Sequence, residues 1–132
     1  MKFEFDNNTP IYIQLVENLK KYIISGKIKC GEKLPSVREL ALQNKVNPNT
    51  MQRALSELED LNLIYTERTN GKFVTTEQEV IDKYKSQYAY ELTIKFLAEM
   101  ENIGYDKTLV VSYLENIKKG DWNCAFKVRK LR

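Results

Sequence analysis

The segment from Val46 to Leu55 places the strongest constraint on how this chain of 132 residues folds. Asn47 has a side chain suited to capping a helix, and Pro48 follows at the first helical position, where a missing backbone N–H costs nothing. Apolar residues then recur at intervals of three and four and form one stripe: Met51, Ala54, Leu55 and Leu58. The segment therefore predicts an amphipathic helix that begins at residue 48 and breaks at Asn62.

The opposite face of this helix is polar near its start. It carries amide, hydroxyl and guanidinium groups on Asn49, Thr50, Gln52, Arg53 and Ser56. Such groups can contact base edges and phosphates in a DNA major groove. A polar outer face is also the norm for a solvated surface helix, so this segment alone favours a solvated face, and it is the segments before and after it that favour DNA contact.

A second predicted helix ends shortly before the first. Ser36 and Glu39 form a capping box, and the helix that they open ends near Asn44 with Val37, Leu40 and Ala41 on its inner face. Arg38 lies on the outer face, where a surface arginine and a functional arginine are equally expected. Lys45-Val46 forms a tight turn into the next helix. Two helices joined in this way are typical of a helix-turn-helix.

An earlier helix precedes this pair. Thr9 is predicted to cap a helix that starts with Pro10 and ends at Gly26. Its apolar positions repeat every four residues, at Ile11, Leu15, Leu19 and Ile23. The connector of residues 27–35 carries Gly31 and Pro35 and is predicted to be a turn-rich loop.

Two short segments rich in β-branched and aromatic residues follow, at residues 63–68 and 72–75. Asn70-Gly71 lies between them and is a strong signal for a hairpin. A hairpin directly after a helix-turn-helix would be a wing, although by itself it would be only a surface hairpin. Arg68, Asn70 and Lys72 near the hairpin tip are predicted to reach the sugar-phosphate backbone and the minor groove, and Gly71 would allow a close backbone approach.

Residues 77–103 predict a long helix, because apolar residues recur every fourth position from Val80 to Met100. Gly104 ends it, and Asp106 caps a second helix that is predicted to end at Gly120. A helix of about 25 residues is roughly 38 Å long. One short helix cannot cover it, so a second copy of the chain is the simplest partner. The residues predicted at this dimer interface are Tyr84, Tyr88, Leu92, Phe96 and Tyr113. A ligand site is a less favoured interpretation of the same aromatic stripe.

Composition limits the other functions. The chain has no histidine, and Cys30 and Cys124 form no CxxC pair, so neither a metal site, a cofactor nor a Ser-His-Asp triad is predicted. The sequence has no signal peptide and no run of 18 apolar residues, so we expect a cytoplasmic protein without a membrane partner. The net charge of +3 permits a nucleic-acid partner without requiring one. Residues 121–132 form a basic tail, which either binds phosphate or frays.

Four segments, taken together, resemble the GntR family of bacterial transcriptional regulators. They are residues 10–15, 33–41, 46–55 and 71–74. The resemblance extends over about residues 9–75, and the short C-terminal part is similar to the YtrA-like branch. It implies a mainly α fold with a small β-hairpin: a winged helix-turn-helix at residues 1–76, a two-helix dimerisation region at 77–120 and the tail.

The resemblance also implies a function. A homodimer would bind a palindromic double-stranded DNA operator, most simply as a repressor, with or without a small-molecule effector. The residues expected at DNA are Ser36, Arg38, Asn47, Asn49, Thr50, Gln52, Arg53, Arg68, Gly71 and Lys72. Pro48 and Gln52 stand where many relatives have arginine, so a base preference cannot be transferred. The alternatives are a winged-helix adaptor that binds protein and, with least support, an enzyme.

Overall fold

The computed structural model describes residues 1–122 in two compact units, the first spanning Met1–Gln87 and the second beginning at Tyr88. In chain order the elements are α1 (Ile11–Ile24), α2 (Val37–Asn44), α3 (Pro48–Asp60), β1 (Ile64–Glu67), β2 (Gly71–Val74), α4 (Gln78–Asn102) and α5 (Lys107–Asn116). The predicted fold class, mainly α with one β-hairpin, is confirmed. The functional boundary predicted after residue 76 stays a prediction.

The first unit closes around an apolar core. Its largest fully buried side chains are Leu15, Leu19, Ile23, Leu40, Met51, Leu55, Leu58, Leu63 and Val74. The predicted stripe of α3 supplies three of them and faces this core, while α1 and α2 both pack against α3. Burying one face of α3 leaves its polar residues on the outside, because an amphipathic helix can bury only one side.

The caps of the helix-turn-helix follow the sequence signals. The Ser36 hydroxyl accepts a hydrogen bond from the Glu39 N–H at 3.1 Å, and the Asn47 side chain accepts one from the Asn49 N–H at 2.8 Å. Lys45 ends α2 in the left-handed conformation, with φ of 53°. These local interactions fix the sharp turn between α2 and α3.

The predicted Thr9 cap is wrong. Pro10 precedes the first helical residue and α1 has no side-chain cap, so Thr9 lies one residue too early to reach the orphan N–H groups. The Gln14 side chain organises this entry instead: it donates to the carbonyl oxygens of Thr9 at 2.6 Å and Asp6 at 3.0 Å and accepts from the Asp6 N–H at 2.9 Å.

The connector before α2 joins the sheet, which the sequence did not predict. β1 and β2 pair antiparallel, with Ile64 opposite Val74. Lys33 forms a bridge with Phe73, and the Leu34 N–H donates to the Lys72 carbonyl at 2.9 Å. The connector is therefore an additional edge of the sheet, and it ties the wing to the start of α2.

The second unit contains the later part of α4 and α5. Gly104, with φ of 91°, follows the end of α4, and the Asp106 carboxylate accepts from the Leu109 N–H at 2.9 Å. Both predicted signals are therefore in use. No helix in residues 1–122 combines the length and the apolar composition of a membrane span.

The predicted end of the last helix is wrong. α5 ends at Asn116 and not at Gly120, because Ile117 takes an extended conformation with ψ of 132°. Of the predicted basic tail, Asp121 and Trp122 are described, whereas residues 123–132 lie outside the described part of the chain.

Candidate nucleic-acid interface

The first turns of α3 present the predicted reading residues. Asn49 and Gln52 are exposed, Thr50 is half-buried, and the Gln52 amide donates to the Ser56 hydroxyl at 3.2 Å. The carbonyl oxygen of the Asn47 side chain is occupied by its capping bond. The turn and the apolar stripe together therefore hold Asn49, Thr50 and Gln52 at the leading end of α3, where a helix inserted into a major groove contacts base edges.

Arg53 is exposed like Asn49 and Gln52, but its guanidinium also contacts another helix. Its guanidinium carbon lies 4.2 Å from the centroid of the Tyr12 ring on α1, which is the geometry of a cation–π contact. The Tyr12 hydroxyl donates to the Glu57 carboxylate. This hydrogen bond is the main reason that the pKa of Tyr12 is raised, and the Arg53 charge opposes the shift. Tyr12, Arg53 and Glu57 thus form one group that joins α1 to α3, and we call it the Tyr12 cluster.

A groove of about 710 Å³ opens between the start of α2 and the wing. Residues 33–37 and Glu39 line one side, and residues 66–72 line the other. The fold thereby brings together four residues that the sequence assigned to DNA: Ser36, Arg68, Gly71 and Lys72. It adds Lys33, which sequence analysis missed because only the pairing of Lys33 with β2 places it there.

The cations of this region differ in availability. The Lys72 ammonium donates to the Thr66 hydroxyl at 2.9 Å and lies 3.8 Å from the Glu59 carboxylate, with 14% of the side chain exposed. Arg38 and Arg68 are exposed, and neither guanidinium has a hydrogen bond or an ion pair with another residue of the described range. These two arginines are therefore better placed than Lys72 to contact phosphate.

The wing turns through a loop of three residues, 68–70, because Gly71 pairs with Glu67 at the start of β2. Asn70 closes this loop, with its N–H donating to the Glu67 carbonyl at 3.2 Å and its side-chain amide to the Glu67 carboxylate at 2.9 Å. Gly71 has φ of 104°, and a Cβ atom there would lie 3.3 Å from Lys33 Cε. Glycine is therefore favoured by the positive φ, whereas the flexible end of Lys33 could move by a few tenths of an ångström to admit a Cβ atom.

The predicted dimer residues fall into two groups. Leu92, Phe96 and Tyr113 are exposed in the second unit, and Tyr88 is half-buried there. Tyr84 packs within the first unit, where its hydroxyl donates to the Leu61 carbonyl at 3.2 Å and Lys20 Nζ lies 5.4 Å from its ring centroid. All five stay predictions for an interface, but Tyr84 already has an intramolecular role.

Outside this interface, the part of the chain that the structure covers contains no group of three or more histidine, cysteine, aspartate or glutamate side chains arranged to hold a metal ion.

The helix-turn-helix, the sheet and the groove together define a winged helix-turn-helix domain. The model of the bacterial regulatory proteins of the gntR family matches residues 11–74. Over 120 residues the chain is 34% identical to YhcF of Bacillus subtilis, an uncharacterized HTH-type transcriptional regulator, with 91% of this chain and 99% of YhcF covered. This protein belongs to the GntR family, as its sequence motifs predicted.

Three further proteins bear on the assignment. The HTH-type transcriptional repressor YtrA of Bacillus subtilis is 44% identical over 69 residues, which cover 52% of this chain and 53% of YtrA. A GntR family transcriptional regulator from Listeria monocytogenes has a solved structure with a TM-score of 0.79, 38% identity and coverage of 86% of this chain and 100% of its own. The DNA-binding domain of AraR in complex with operator ORX1 is similar over 57% of this chain and 95% of its own, with 28% identity and a TM-score of 0.51.

Proposed function

We propose that this protein is a transcriptional repressor that binds a palindromic DNA operator as a homodimer. The proposal rests on one observation: the polar leading edge of α3 lies between two elements that each carry an exposed arginine, Arg38 on α2 and Arg68 in the wing. Neither guanidinium has a hydrogen bond or an ion pair within residues 1–122. The likeness of this domain to AraR, which was solved with its operator, supports DNA as the partner. The name of YtrA supports repression.

Within this proposal the contacts divide by chemistry. Arg38, Arg68 and Lys33 hold phosphates, and the first turn of α2 behind Ser36 offers backbone N–H groups to the same strand. Asn49, Thr50 and Gln52 read bases, since amide side chains can pair with two groups on one adenine edge. Glu39 and Glu67 also line the groove, so their charges restrict where a phosphate can lie.

The second unit supplies the dimer. Its helices expose large apolar side chains that a monomer would leave in water, among them Leu92, Phe96 and Tyr113. A two-fold dimer reads two half-sites about 34 Å apart, which accounts for a palindromic operator. Bound there, the protein would block polymerase by occupying the promoter, and it would act in the cytoplasm without catalysis.

The test begins with selection of genomic fragments by the full-length protein. A fluorescent duplex of the selected sequence and a scrambled duplex are then titrated by anisotropy over a range of salt concentrations. We expect tighter binding to the selected duplex, with log affinity falling linearly in log salt. Arg38→Ala should weaken binding and lower the salt slope by about two, since one phosphate contact is lost from each protomer of the dimer.

Lys107→Ala is the matched control, because it removes one exposed cation at the start of α5, in the second unit. It should leave the affinity for both duplexes close to that of the wild type. Selection of no sequence, together with no binding to a random duplex at low salt, would contradict the proposal and favour a winged-helix adaptor that binds protein.

A further inference from the structure

We infer that Arg53 is a positioning residue for DNA recognition and not itself a contact to DNA. Through the Tyr12 cluster it fixes the rotation of α3 against α1, and so sets the direction in which Asn49, Thr50 and Gln52 point. This inference rests on the proposed function, since it concerns how the same recognition helix reads an operator.

The first support is the way in which the cluster spans two helices. Tyr12 comes from the first turn of α1, whereas Arg53 and Glu57 lie one turn apart on the same side of α3. The Tyr12 ring lies beneath the guanidinium, and its hydroxyl donates to the carboxylate. One side chain of α1 therefore holds two side chains of α3 at once, which opposes rotation of α3 about its axis.

The second support is electrostatic. The Arg53 guanidinium lies on one face of the Tyr12 ring, and the Glu57 carboxylate accepts a hydrogen bond from the hydroxyl of the same tyrosine. A phosphate that approached Arg53 would meet the negative charge of Glu57, and the guanidinium would have to leave the Tyr12 ring to reach away from it. Arg38 and Arg68 have no such competing partner in the range that the structure covers.

The third support is that the apolar core does not by itself fix the exact rotation of α3. The stripe of Met51, Ala54, Leu55 and Leu58 fixes which face of α3 is buried. The hydrophobic effect has no preferred direction, whereas hydrogen bonds to base edges need donor–acceptor distances of about 2.7–3.2 Å and angles above about 150°. The Tyr12 cluster, at the border of this stripe, would fix the rotation of α3 more closely.

The experiment compares Arg53→Gln, Tyr12→Leu and the double variant of the full-length protein on the selected and scrambled duplexes, at temperatures where thermal unfolding shows every variant to be folded. We expect each single variant to lose about tenfold or more in affinity for the selected duplex, because base contacts weaken in both half-sites at once. Affinity for the scrambled duplex and the salt slope should not change. The double variant should be no worse than either single one, because both break the same cluster.

Two conservative variants keep the test decisive where a truncation unfolds the chain. Arg53→Lys keeps a cation above the ring and should recover part of the selectivity. Glu57→Gln removes the competing charge. A positioning role predicts that it leaves affinity equal or weaker, whereas a phosphate-binding Arg53 predicts tighter binding to both duplexes.

The inference is overturned by a fall of about two in the salt slope of Arg53→Gln with equal loss on both duplexes, which would identify one phosphate contact in each protomer. It is also overturned if Arg53→Gln and Tyr12→Leu both keep wild-type selectivity, which would leave the cluster a purely structural role. A wild-type protein that binds no duplex would overturn the proposed function and this inference with it.

Discussion

The two units of this protein differ in how far their apolar residues are buried. In the first unit, Leu15, Met51 and Leu55 are completely buried, so the winged domain closes its own core. In the second unit, Val110 is the one buried residue among residues 88–122, while Leu92 and Tyr113 are 51% and 52% exposed. The first unit therefore covers its apolar residues within one chain, whereas the second leaves an exposed apolar surface that suits a partner.

α4 has apolar residues that are buried in its early turns and exposed in its later turns, which explains why its periodicity is hard to interpret. Its early turns pack in the first unit, where Ile81 is buried and Tyr84 is hydrogen-bonded. Its later turns expose Leu92 and Phe96 with the same spacing of four. A regular stripe therefore predicts that a face will be covered, but not whether its own chain or another molecule covers it.

The largest expected effect tests the closed core of the first unit. Leu55→Ala removes a fully buried side chain from the centre of α3 and leaves a cavity. Such substitutions cost about 2–5 kcal/mol. Chemical denaturation should show this loss of unfolding free energy, and it should be independent of protein concentration. Leu42→Ala is the control, since Leu42 on α2 is 79% exposed. A comparable loss of unfolding free energy in both variants would contradict the conclusion that the first unit closes its own core around Leu55.

The next effect concerns a polar part of the same unit. Asn44 is buried at the end of α2; its side chain accepts from the Phe3 N–H at 2.8 Å and donates to the carbonyl oxygens of Met1 at 3.0 Å and Leu40 at 2.8 Å. Asn44→Ala leaves backbone groups of the N-terminal segment without these partners, at a cost of about 1–3 kcal/mol. Thermal unfolding should report the loss.

Hydrogen exchange should place that loss at the N-terminal residues. Gln43→Ala, at an exposed neighbouring position, should have little effect. Wild-type stability and exchange in Asn44→Ala would mean that the N-terminal segment contributes nothing to the closed unit.

The second unit should respond through association. Phe96→Glu places a charge in the exposed apolar surface of α4. If that surface is the dimer interface, the dimer dissociation constant should rise by about tenfold or more, because an unpaired carboxylate is costly to bury. Analytical ultracentrifugation measures this constant. Ala98→Glu is the control, since two positions turn a helix by about 200° and Ala98 therefore faces away from Phe96. A monomeric wild-type protein would refute the homodimer.

Much of the first unit could be predicted because its signals are local. Asn47, Pro48 and the stripe behind them lie within a few residues of the groups that they organise, so the start of α3 and its buried face follow directly. The spacing of four between Arg53 and Glu57 could have indicated a pair on one side of α3.

The rest depends on contacts between distant parts of the chain. Tyr12 meets Glu57 across 45 residues, and Lys33 reaches the wing only because residues 31–34 join the sheet. Lys72 likewise seemed a free cation until the fold placed it beside Thr66 and Glu59. Charge and position in the sequence selected these residues as candidates, but only the fold shows which of the cations already have partners.

The smallest expected effect concerns Tyr84, near the point on α4 where buried apolar residues give way to exposed ones. Tyr84→Phe removes only the hydroxyl that donates to the Leu61 carbonyl, and the ring that Lys20 approaches is kept. The loss of one such hydrogen bond costs about 0.5–1.5 kcal/mol of unfolding free energy. If Tyr84 belongs to the closed unit, denaturation should show this cost while the dimer dissociation constant stays unchanged. Tyr113→Phe is the matched control, since it removes a tyrosine hydroxyl in the exposed second unit. A Tyr84→Phe variant with wild-type stability and weakened association would instead extend the partner-facing surface one turn towards the wing, as the periodicity of the sequence predicted.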